Sequence, residues 1–367
     1  MNEDATRSFS AADFGFADAP GENHTLSAVV ITSLPASGTL KLGTVNVLAG
    51  AVIPVADLGS LNYTPALNDN GNAYASFGFR VRDSGGTANG GIDTSVNANT
   101  ITFNIAPVND PATFSGDISK AVSETNDALT VTGTLTVADV DSATTVTALS
   151  NVNGTAGHGK FSITTAGAWT YVMNTAQNQF VAGQTYTDTI EVTTSDGTKQ
   201  VISVVITGTN DAPTMTTSST SLVQISFSED GAPVVAQVGT ITLADVDSVN
   251  LQGATVRVVN FADATSFVPG DLLTYTIPGG SGITGDYNTS TGVLTFTGTA
   301  TQAQYQSLLD SVKFSNSRDD LAGGARNVYW SVKDASGATS NEPLSRLNVT
   351  RYNDAPVLAD TTLNLTT

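Results

Sequence analysis

Apolar and polar residues alternate along most of this chain, and the alternating segments end at turn-forming residues. The pattern is clear in residues 100–108 (TITFNIAPV), 201–209 (VISVVITGT) and 344–352 (LSRLNVTRY). Alternation with a period of two indicates half-buried β-strands, and turns every ten or so residues are typical of β-sandwiches. The sequence therefore predicts an all-β fold.

One segment departs from the strand pattern. In residues 299–314 (TATQAQYQSLLDSVKF) the apolar positions fall at roughly helical spacing, at Ala303, Tyr305, Leu308, Leu309 and Val312. Thr301 and Gln304 have the spacing of a capping box. We predict one short helix near 301–312 whose apolar face packs on its sandwich, with a partner-binding face as the alternative.

A pair of neighbouring residues, asparagine then aspartate, closes three long segments of the chain. The pairs are Asn109-Asp110, Asn210-Asp211 and Asn353-Asp354, and they lie 101 and 143 residues apart. These intervals match the size of domains and exceed those of solenoid repeats. We predict three domains, at 1–108, 109–212 and 213–355, followed by the start of a further repeat at 356–367.

Other acidic residues recur in phase with these pairs. A glutamate opens each segment, at Glu3, Glu124 and Glu229. Fifteen or sixteen residues later come the acidic positions Asp18, Asp139 with Asp141, and Asp245 with Asp247. Nearer the end of each segment, an aspartate stands in the turn before the last strand, at Asp83, Asp196 and Asp334. Four phased elements in three copies indicate a repeated site.

Strand direction predicts where these residues meet. Because adjacent antiparallel strands alternate in direction, their turns fall at opposite ends of a sandwich. At the first junction we expect Glu3, Asn109, Asp110, Asp139, Asp141 and Asp196. At the second we expect Glu124, Asn210, Asp211, Asp245, Asp247 and Asp334. The same pattern makes Asp18, Asp83, Glu229, Asn353 and Asp354 candidate ligands as well.

Charge and composition point to calcium as the partner of these clusters. Acidic residues outnumber basic ones 33 to 14, so most carboxylates lack a salt-bridge partner, and each close pair repels by about 1 kcal/mol even in water. Calcium takes six to eight oxygen ligands, whereas zinc and copper prefer nitrogen or sulfur, and the chain has two histidines and no cysteine. The alternative is that these are ordinary turn residues.

The remaining sequence features exclude several function classes. A net charge of −19 disfavours nucleic acid and anionic membrane. No run of about 18 apolar residues is present and the start lacks the pattern of a signal peptide, so we expect no direct membrane insertion. His24 and His158 lie in turns with no Ser-His-Asp set, so an enzyme is not expected. Trp169 and Trp330 alternate with apolar residues, which predicts core packing.

The motifs also resemble known families. VADVDS, GAWTYV and VVITGTNDAP in the middle domain resemble the VCBS repeat of large bacterial surface proteins, and the outer domains look like the cadherin-like domains of RTX-type adhesins. The resemblance implies cadherin-like or immunoglobulin-like Greek-key sandwiches, calcium at domain junctions and type I secretion. In the first domain Pro20 replaces the second aspartate, with Glu22 or Asn23 as substitutes. The nonapeptide tract of RTX proteins is absent from this segment.

The resulting hypothesis is a calcium-stiffened extender of a secreted adhesin, outside the cell at a bacterial surface, serving adhesion or biofilm formation. Its expected partners are calcium ions and neighbouring repeats, with the segment itself monomeric. The alternative is a module that binds a surface glycan or protein through polar loops such as 278–292 (PGGSGITGDYNTSTG) and 69–77 (DNGNAYASF).

Overall fold

The computed structural model describes residues 1–217, 224–237, 239–319 and 321–356. Within these ranges the chain forms 27 strands, one α-helix and three short 3-10 helices, at Ala11–Phe14, Val55–Ser60 and Ala88–Gly90. The buried apolar residues fall into three separate cores, which lie within 9–105, 131–206 and 215–349. The predicted array of three β-sandwiches with one short α-helix is confirmed.

The first sandwich packs two four-stranded sheets around its core. Its strands are β1 (Arg7–Ser8), β2 (Leu26–Ser33), β3 (Thr39–Leu42), β4 (Val45–Asn46), β5 (Val52–Pro54), β6 (Leu61–Thr64), β7 (Gly71–Asp83) and β8 (Asn99–Ile105). One sheet has the order β1-β6-β3-β4 and the other β5-β2-β7-β8. A parallel bridge joins Asn2 to Ala106, so the start of the chain lies beside the end of the last strand.

The second sandwich has a five-stranded and a three-stranded sheet. Its strands are β9 (Thr113–Gly116), β10 (Ser119–Ser123), β11 (Thr130–Ala138), β12 (Leu149–Asn153), β13 (Gly159–Ile163), β14 (Ala168–Met173), β15 (Thr185–Thr193) and β16 (Lys199–Thr207). The sheet orders are β12-β13-β14-β11-β9 and β10-β16-β15. Strands β12, β13 and β14 are consecutive antiparallel neighbours, and the strand that precedes them in the chain, β11, pairs with β14. This is a Greek-key order. Strand β10 pairs in parallel with β16.

The third sandwich is the largest. Its elements are β17 (Thr214–Thr217), β18 (Gln224–Ser228), β19 (Val234–Val235), β20 (Ile241–Ala244), β21 (Asn250–Asn260), β22 (Asp271–Thr274), β23 (Thr284–Asn288), β24 (Val293–Thr301), α1 (Gln302–Asp310), β25 (Lys313–Asn316), β26 (Gly324–Asp334) and β27 (Leu344–Thr350). The six-stranded sheet β18-β27-β26-β21-β24-β23 shares one core with β17-β20 and β19-β25-β22. Again the early strand β18 pairs in parallel with the last strand, β27.

Helix α1 begins where the capping box predicts. The Thr301 hydroxyl accepts a hydrogen bond from the Gln304 amide at 3.3 Å, and the Gln304 side chain accepts one from the Thr301 amide at 3.0 Å. Tyr305, Leu308 and Leu309 are buried in the third core. The apolar face of the helix therefore packs inward, as predicted. These residues are not available to bind a partner.

The two tryptophans are core residues, as their alternation predicts. Trp169 and Trp330 are both almost fully buried. Their indole N–H groups donate to the Asp117 carbonyl at 2.9 Å and to the Ser345 hydroxyl at 3.2 Å, which satisfies the one polar atom of each ring. Apart from Pro356, the predicted start of a further repeat lies outside the described residues, and the exact domain boundaries stay predictions.

Candidate metal sites at the domain junctions

Each of the three phased glutamates is hydrogen-bonded to the segment that follows the last strand of its own sandwich. Glu3, Glu124 and Glu229 are all buried. Their carboxylates accept hydrogen bonds from the backbone amides of Val108 (2.6 Å), Thr209 (3.2 Å) and Tyr352 (2.7 Å), each of which directly precedes an Asn-Asp pair. The parallel bridge between Asn2 and Ala106 and the parallel strand pairs β10–β16 and β18–β27 bring each glutamate to this position. The repeated signal in the sequence thus reflects a repeated local structure.

The three asparagines share one side-chain conformation. The amide nitrogens of Asn109, Asn210 and Asn353 each donate to the carbonyl oxygen of the following aspartate, at 3.2 Å in all three copies. This hydrogen bond uses the donor end of the side chain; Asn210 Oδ1 is left without a partner, whereas Asn109 Oδ1 accepts from the Ser142 hydroxyl at 3.4 Å. An amide oxygen held this way is a suitable neutral ligand for calcium.

The Asp-x-Asp elements form the same turn in the second and third sandwiches. Asp139 Oδ1 accepts from the amides of Asp141 (3.0 Å) and Ser142 (2.7 Å). Asp245 Oδ1 accepts from the amides of Asp247 (3.3 Å) and Ser248 (3.0 Å). These bonds are those of an Asx turn, which holds the second aspartate beside the first. In both copies the other oxygen of the first aspartate is buried with no hydrogen-bond partner.

At the first junction the structure joins the linker to the second sandwich. The Asp110 amide donates to Asp141 Oδ2 at 3.3 Å, and Asn109 Nδ2 lies 3.5 Å from Asp196 Oδ2. Asp196 also accepts from the Thr194 and Thr198 hydroxyls, and these bonds hold the pKa of its carboxyl below the ordinary range. Glu3 adjoins the cluster through Val108. Contacts therefore join the linker pair to the acidic turns of the second sandwich, whereas Glu3 is hydrogen-bonded to the residue before the pair.

At the second junction the predicted residues come together in a more buried setting. Asn210 Nδ2 donates to Asp334 Oδ2 at 2.7 Å, which links the chain leaving the second sandwich to the third. Glu124 is 1% exposed, Asp211 7% and Asp247 8%. Burial, followed by the nearby charges of Glu124 and Asp247, raises the pKa of Asp211. Carboxylates from both sandwiches and the linker thus lie close enough to repel one another.

Many oxygen atoms of this second cluster lack any hydrogen-bond donor. They are Glu124 Oε1, Asn210 Oδ1, Asp211 Oδ2, Asp245 Oδ2, Asp247 Oδ1 and Asp247 Oδ2, all shielded from solvent. Burial, then contact with Asp247, raises the pKa of Asp245 to about 6. None of the ion pairs in the described part of the chain includes one of these carboxylates. Buried acceptors are normally satisfied, so a cluster of six unsatisfied ones fits a bound cation.

The donor set fits calcium better than other ions. All six atoms are oxygens, and calcium accepts six to eight oxygen ligands in flexible geometry. Oxygens on opposite sides of a calcium ion lie about 5 Å apart, since each lies at 2.3–2.6 Å. In the described ranges, three or more acidic or histidine side chains offer ligand atoms within 4.8 Å of one another only at Asp18, Glu22 and His24, so the junction carboxylates are not drawn together that closely.

That third cluster includes Asp18 and lies near Asp83, two of the predicted ligands of the first sandwich. His24 Nδ1 lies 3.3 Å from Glu22 Oε2 and 3.8 Å from Asp18 Oδ1. Asp18, Glu22 and Asp83 line one cavity of about 510 Å³. Glu22, one of the two residues predicted to substitute for the second aspartate, thus lies beside Asp18. No pattern in the sequence predicted that His24 belongs to this cluster.

At the other end of the described chain, Glu229, Asn353 and Asp354 repeat the half-site that a preceding sandwich contributes. Burial raises the pKa of Asp354, and the charges of Asp319 and Glu229 add to the shift. The Tyr352 amide donates a hydrogen bond to Glu229, and the Asn353 side chain donates to the Asp354 carbonyl. Both hydrogen bonds have equivalents at the two junctions. The outer ends therefore carry the two complementary halves of the junction pattern.

The sequence did not predict the residues that hydrogen-bond the junction glutamates. The Thr209 hydroxyl donates to Glu124 Oε2 at 2.8 Å, and Asn70 Nδ2 donates to Glu3 Oε2 at 3.1 Å. It also missed two buried carboxylates inside the sandwiches, Asp188 and Asp271. Asp188 could have been found from the strand pattern. It lies four residues before the buried Val192 in the same strand, so both side chains point to the same, inward face.

The polar loop at 278–292 offers little for sugar stacking. Tyr287 donates its hydroxyl to the Asp271 carbonyl at 2.8 Å, and nearby Tyr275 donates to the Gly285 carbonyl at 2.7 Å. Both rings pack against the third core. The aromatic rings of this region are therefore turned inward, and a ligand-binding role for the loop stays a prediction.

Comparison with known proteins gives distant similarities. No family model matches the chain. Over 187 residues the chain is 33% identical to Halomucin of Haloquadratum walsbyi, a match that covers 47% of this chain and 2% of that protein. Similar solved chains are cadherin extracellular segments. Mouse cadherin-23 EC22–24 is 15% identical, with 88% of this chain and 87% of that chain covered and a TM-score of 0.40. Drosophila N-cadherin EC1–4 is 14% identical, with 94% and 73% covered and a TM-score of 0.30.

The described residues contain no helix of the length and apolar character needed to cross a membrane.

Proposed function

We propose that this chain is a calcium-stiffened extender segment of a secreted bacterial surface adhesin, which holds other domains of that adhesin away from the cell. The observation that carries the proposal is the set of six buried oxygens without hydrogen-bond donors at the second junction. Such a cluster is unfavourable without a cation, because unpaired buried charges and acceptors lose their hydration. Calcium supplies the missing positive charge.

Stiffening follows from where the oxygens come from. Glu124 belongs to the second sandwich, Asp211 to the linker, and Asp247 to the third sandwich. An ion bound to all three resists bending at the linker, since bending would stretch its bonds. Without the ion, repulsion of about 1 kcal/mol or more per close carboxylate pair favours separation of the sandwiches. Calcium thereby converts a jointed chain into a rod.

The outer half-sites extend the same logic to neighbouring repeats. A following domain would supply an Asp-x-Asp turn to Glu229 and Asp354, and a preceding domain would supply its linker to Asp18 and Asp83. We propose domain boundaries near 108 and 212 on this basis, with a further repeat starting at 356. The small share of Halomucin that the match covers supports placement of the segment in a far longer chain.

The proposed location is outside the cell, at the bacterial surface. Calcium sites of extracellular modules have dissociation constants of about 10⁻⁴ to 10⁻³ M, so they stay empty at cytosolic calcium levels and fill outside. The type I secretion, VCBS-repeat and RTX parts of the proposal rest on the resemblance of the motifs. We propose a non-enzymatic role, because the proposal assigns the clustered acidic residues to calcium binding at the domain junctions.

Small-angle scattering tests the proposal. With millimolar calcium we expect a rod of roughly 120 Å for three sandwiches of about 40 Å each, from strands of ~12 residues rising 3.3 Å per residue. After calcium removal by a chelator we expect broader shapes and a lower melting temperature. Magnesium at the same concentration is the control for ionic strength. A scattering envelope and a melting temperature that are the same with and without calcium would contradict the proposed function.

A further inference from the structure

We infer that the two junctions bind calcium with unequal affinity, so that the second junction fills and stiffens before the first as calcium rises. This inference rests on the proposed function and adds its order of action. Both junctions have the same ligand types at corresponding positions: one glutamate, one asparagine and four aspartates. Composition therefore predicts equal sites, and the difference comes from what else contacts each oxygen.

The glutamates differ first. Both oxygens of Glu3 are occupied, by the Val108 amide at 2.6 Å and by Asn70 Nδ2 at 3.1 Å. At the second junction the Thr209 amide and hydroxyl both bind Glu124 Oε2, which leaves Oε1 buried and free. An ion at the first junction would share each Glu3 oxygen with a hydrogen-bond donor, whereas Glu124 presents an oxygen with no donor.

The asparagines and the second aspartates differ in the same direction. Asn109 Oδ1 accepts from the Ser142 hydroxyl at 3.4 Å, whereas the equivalent Asn210 Oδ1 has no partner. Asp141 Oδ2 accepts from the Asp110 amide at 3.3 Å, whereas both oxygens of Asp247 are without one. In all, two buried oxygens lack a partner at the first junction, Asp110 Oδ2 and Asp139 Oδ2, against six at the second.

Solvent exposure adds to the contrast. Asn109 and Asp141 are exposed, and Asp110, Asp139 and Asp196 are half-buried. At the second junction Glu124, Asp211, Asp247 and Asp334 are buried. Charges attract more strongly where water is excluded, so calcium gains more there. At the first junction Glu3 is also buried, but water solvates Asn109 and Asp141 and competes with the ion there.

A calorimetric calcium titration of the full chain tests this order with matched variants. Asp247→Asn and Asp141→Asn change equivalent residues of the two Asp-x-Asp turns. We expect the unchanged chain to show two classes of site whose dissociation constants differ by tenfold or more. Asp247→Asn should remove the tight class and spare the weak one, and Asp141→Asn should do the reverse. Asp18→Asn identifies any further weak binding at the outer end.

A second readout needs no change to a ligand. The chain has no cysteine, so exposed positions changed to cysteine accept fluorophores selectively. A pair at Val45→Cys and Val172→Cys spans the first junction, and a pair at Val172→Cys and Leu272→Cys spans the second. We expect energy transfer across the second junction to change at calcium concentrations at least tenfold lower.

The outcomes separate the inference from the function beneath it. Calcium binding in a single affinity class, equal midpoints for the two fluorophore pairs, or loss of the tight class in Asp141→Asn would overturn the inference and leave the calcium rod intact. The absence of any calcium binding would overturn both.

Discussion

Buried carboxylates inside the sandwiches differ from those at the second junction. Asp188, fully buried, accepts hydrogen bonds from three backbone amides and from the Tyr171 hydroxyl at 2.8–3.1 Å. Asp271 is paired with Arg326 at 2.7 Å and with Asn316 at 2.9 Å. Asp211 and Asp247 are nearly as buried, yet Asp211 Oδ2 and both oxygens of Asp247 lack such donors.

The difference shows which carboxylates the protein satisfies by itself. Asp188 and Asp271 are hydrogen-bonded or paired by groups of their own sandwiches, so these two carboxylates need no metal. The second junction holds charges that folding brings together and leaves unmatched. We therefore expect changes to interior carboxylates to act equally with and without calcium, and changes to junction carboxylates to act oppositely in the two conditions.

The largest effect is expected at the buried ion pair of the third sandwich. Asp271→Ala should destabilise the third sandwich by about 3–5 kcal/mol, because it leaves the buried Arg326 guanidinium unpaired. Urea unfolding followed by Trp330 fluorescence measures the loss. Double replacement, Asp271→Ala with Arg326→Met, should recover part of it. A loss that calcium reverses would break the contrast between interior and junction.

A smaller loss is expected at the buried aspartate of the second sandwich. Asp188→Asn should cost about 2 kcal/mol, since its amide group would face a backbone N–H donor where an oxygen now accepts. The control Tyr171→Phe removes one hydrogen bond and should cost about 1 kcal/mol. Chemical unfolding with and without calcium should give the same values. Calcium dependence here would place Asp188 with the junction residues.

Neutralising a junction carboxylate should have the opposite sign in metal-free protein. Asp247→Asn removes repulsion from Asp211 and Asp245, so we expect about 1 kcal/mol of stabilisation without calcium. With millimolar calcium the same variant should be less stable than the unchanged chain, because it loses a ligand. Thermal unfolding in both conditions measures the crossing. Destabilisation in both conditions would mean that Asp247 is satisfied by the protein.

The smallest predicted effect is a pH dependence of the metal-free second junction. The raised pKa values of Asp245, about 6, and of Asp211 mean that the folded protein holds these protons more tightly than the unfolded chain. Their contribution to stability is thus full below about pH 4, near the unfolded pKa, and is lost as pH rises through 6.

Metal-stripped protein should accordingly lose melting temperature from pH 4 to 7, and Asp245→Asn should show a weaker loss. Calcium competes with the protons, so its stabilising effect should grow over the same range. An unchanged pH profile in Asp245→Asn would remove Asp245 from the cluster.

The sequence predicted the parts of the site that depend on local structure. Asp139 and Asp245 form turns with the residues that follow them, so their pattern is visible in a few letters. The predicted meeting of Asn210 with Asp334 followed from strand direction, although 124 residues separate them. Pairing of Asp271 with Arg326 and of Glu3 with Asn70 could not be predicted, because each depends on the side-chain packing of distant strands. The inequality of the junctions arises from such contacts.

The most direct measurement is the position of the ion itself. A crystal of the full chain grown with calcium, or with a lanthanide in its place, locates the metal by anomalous diffraction. We predict a peak at the second junction within about 2.3–2.6 Å of oxygens of Asp211, Asp247 and Glu124. A well-resolved junction whose carboxylates instead contact only water or donors from the protein would contradict the account.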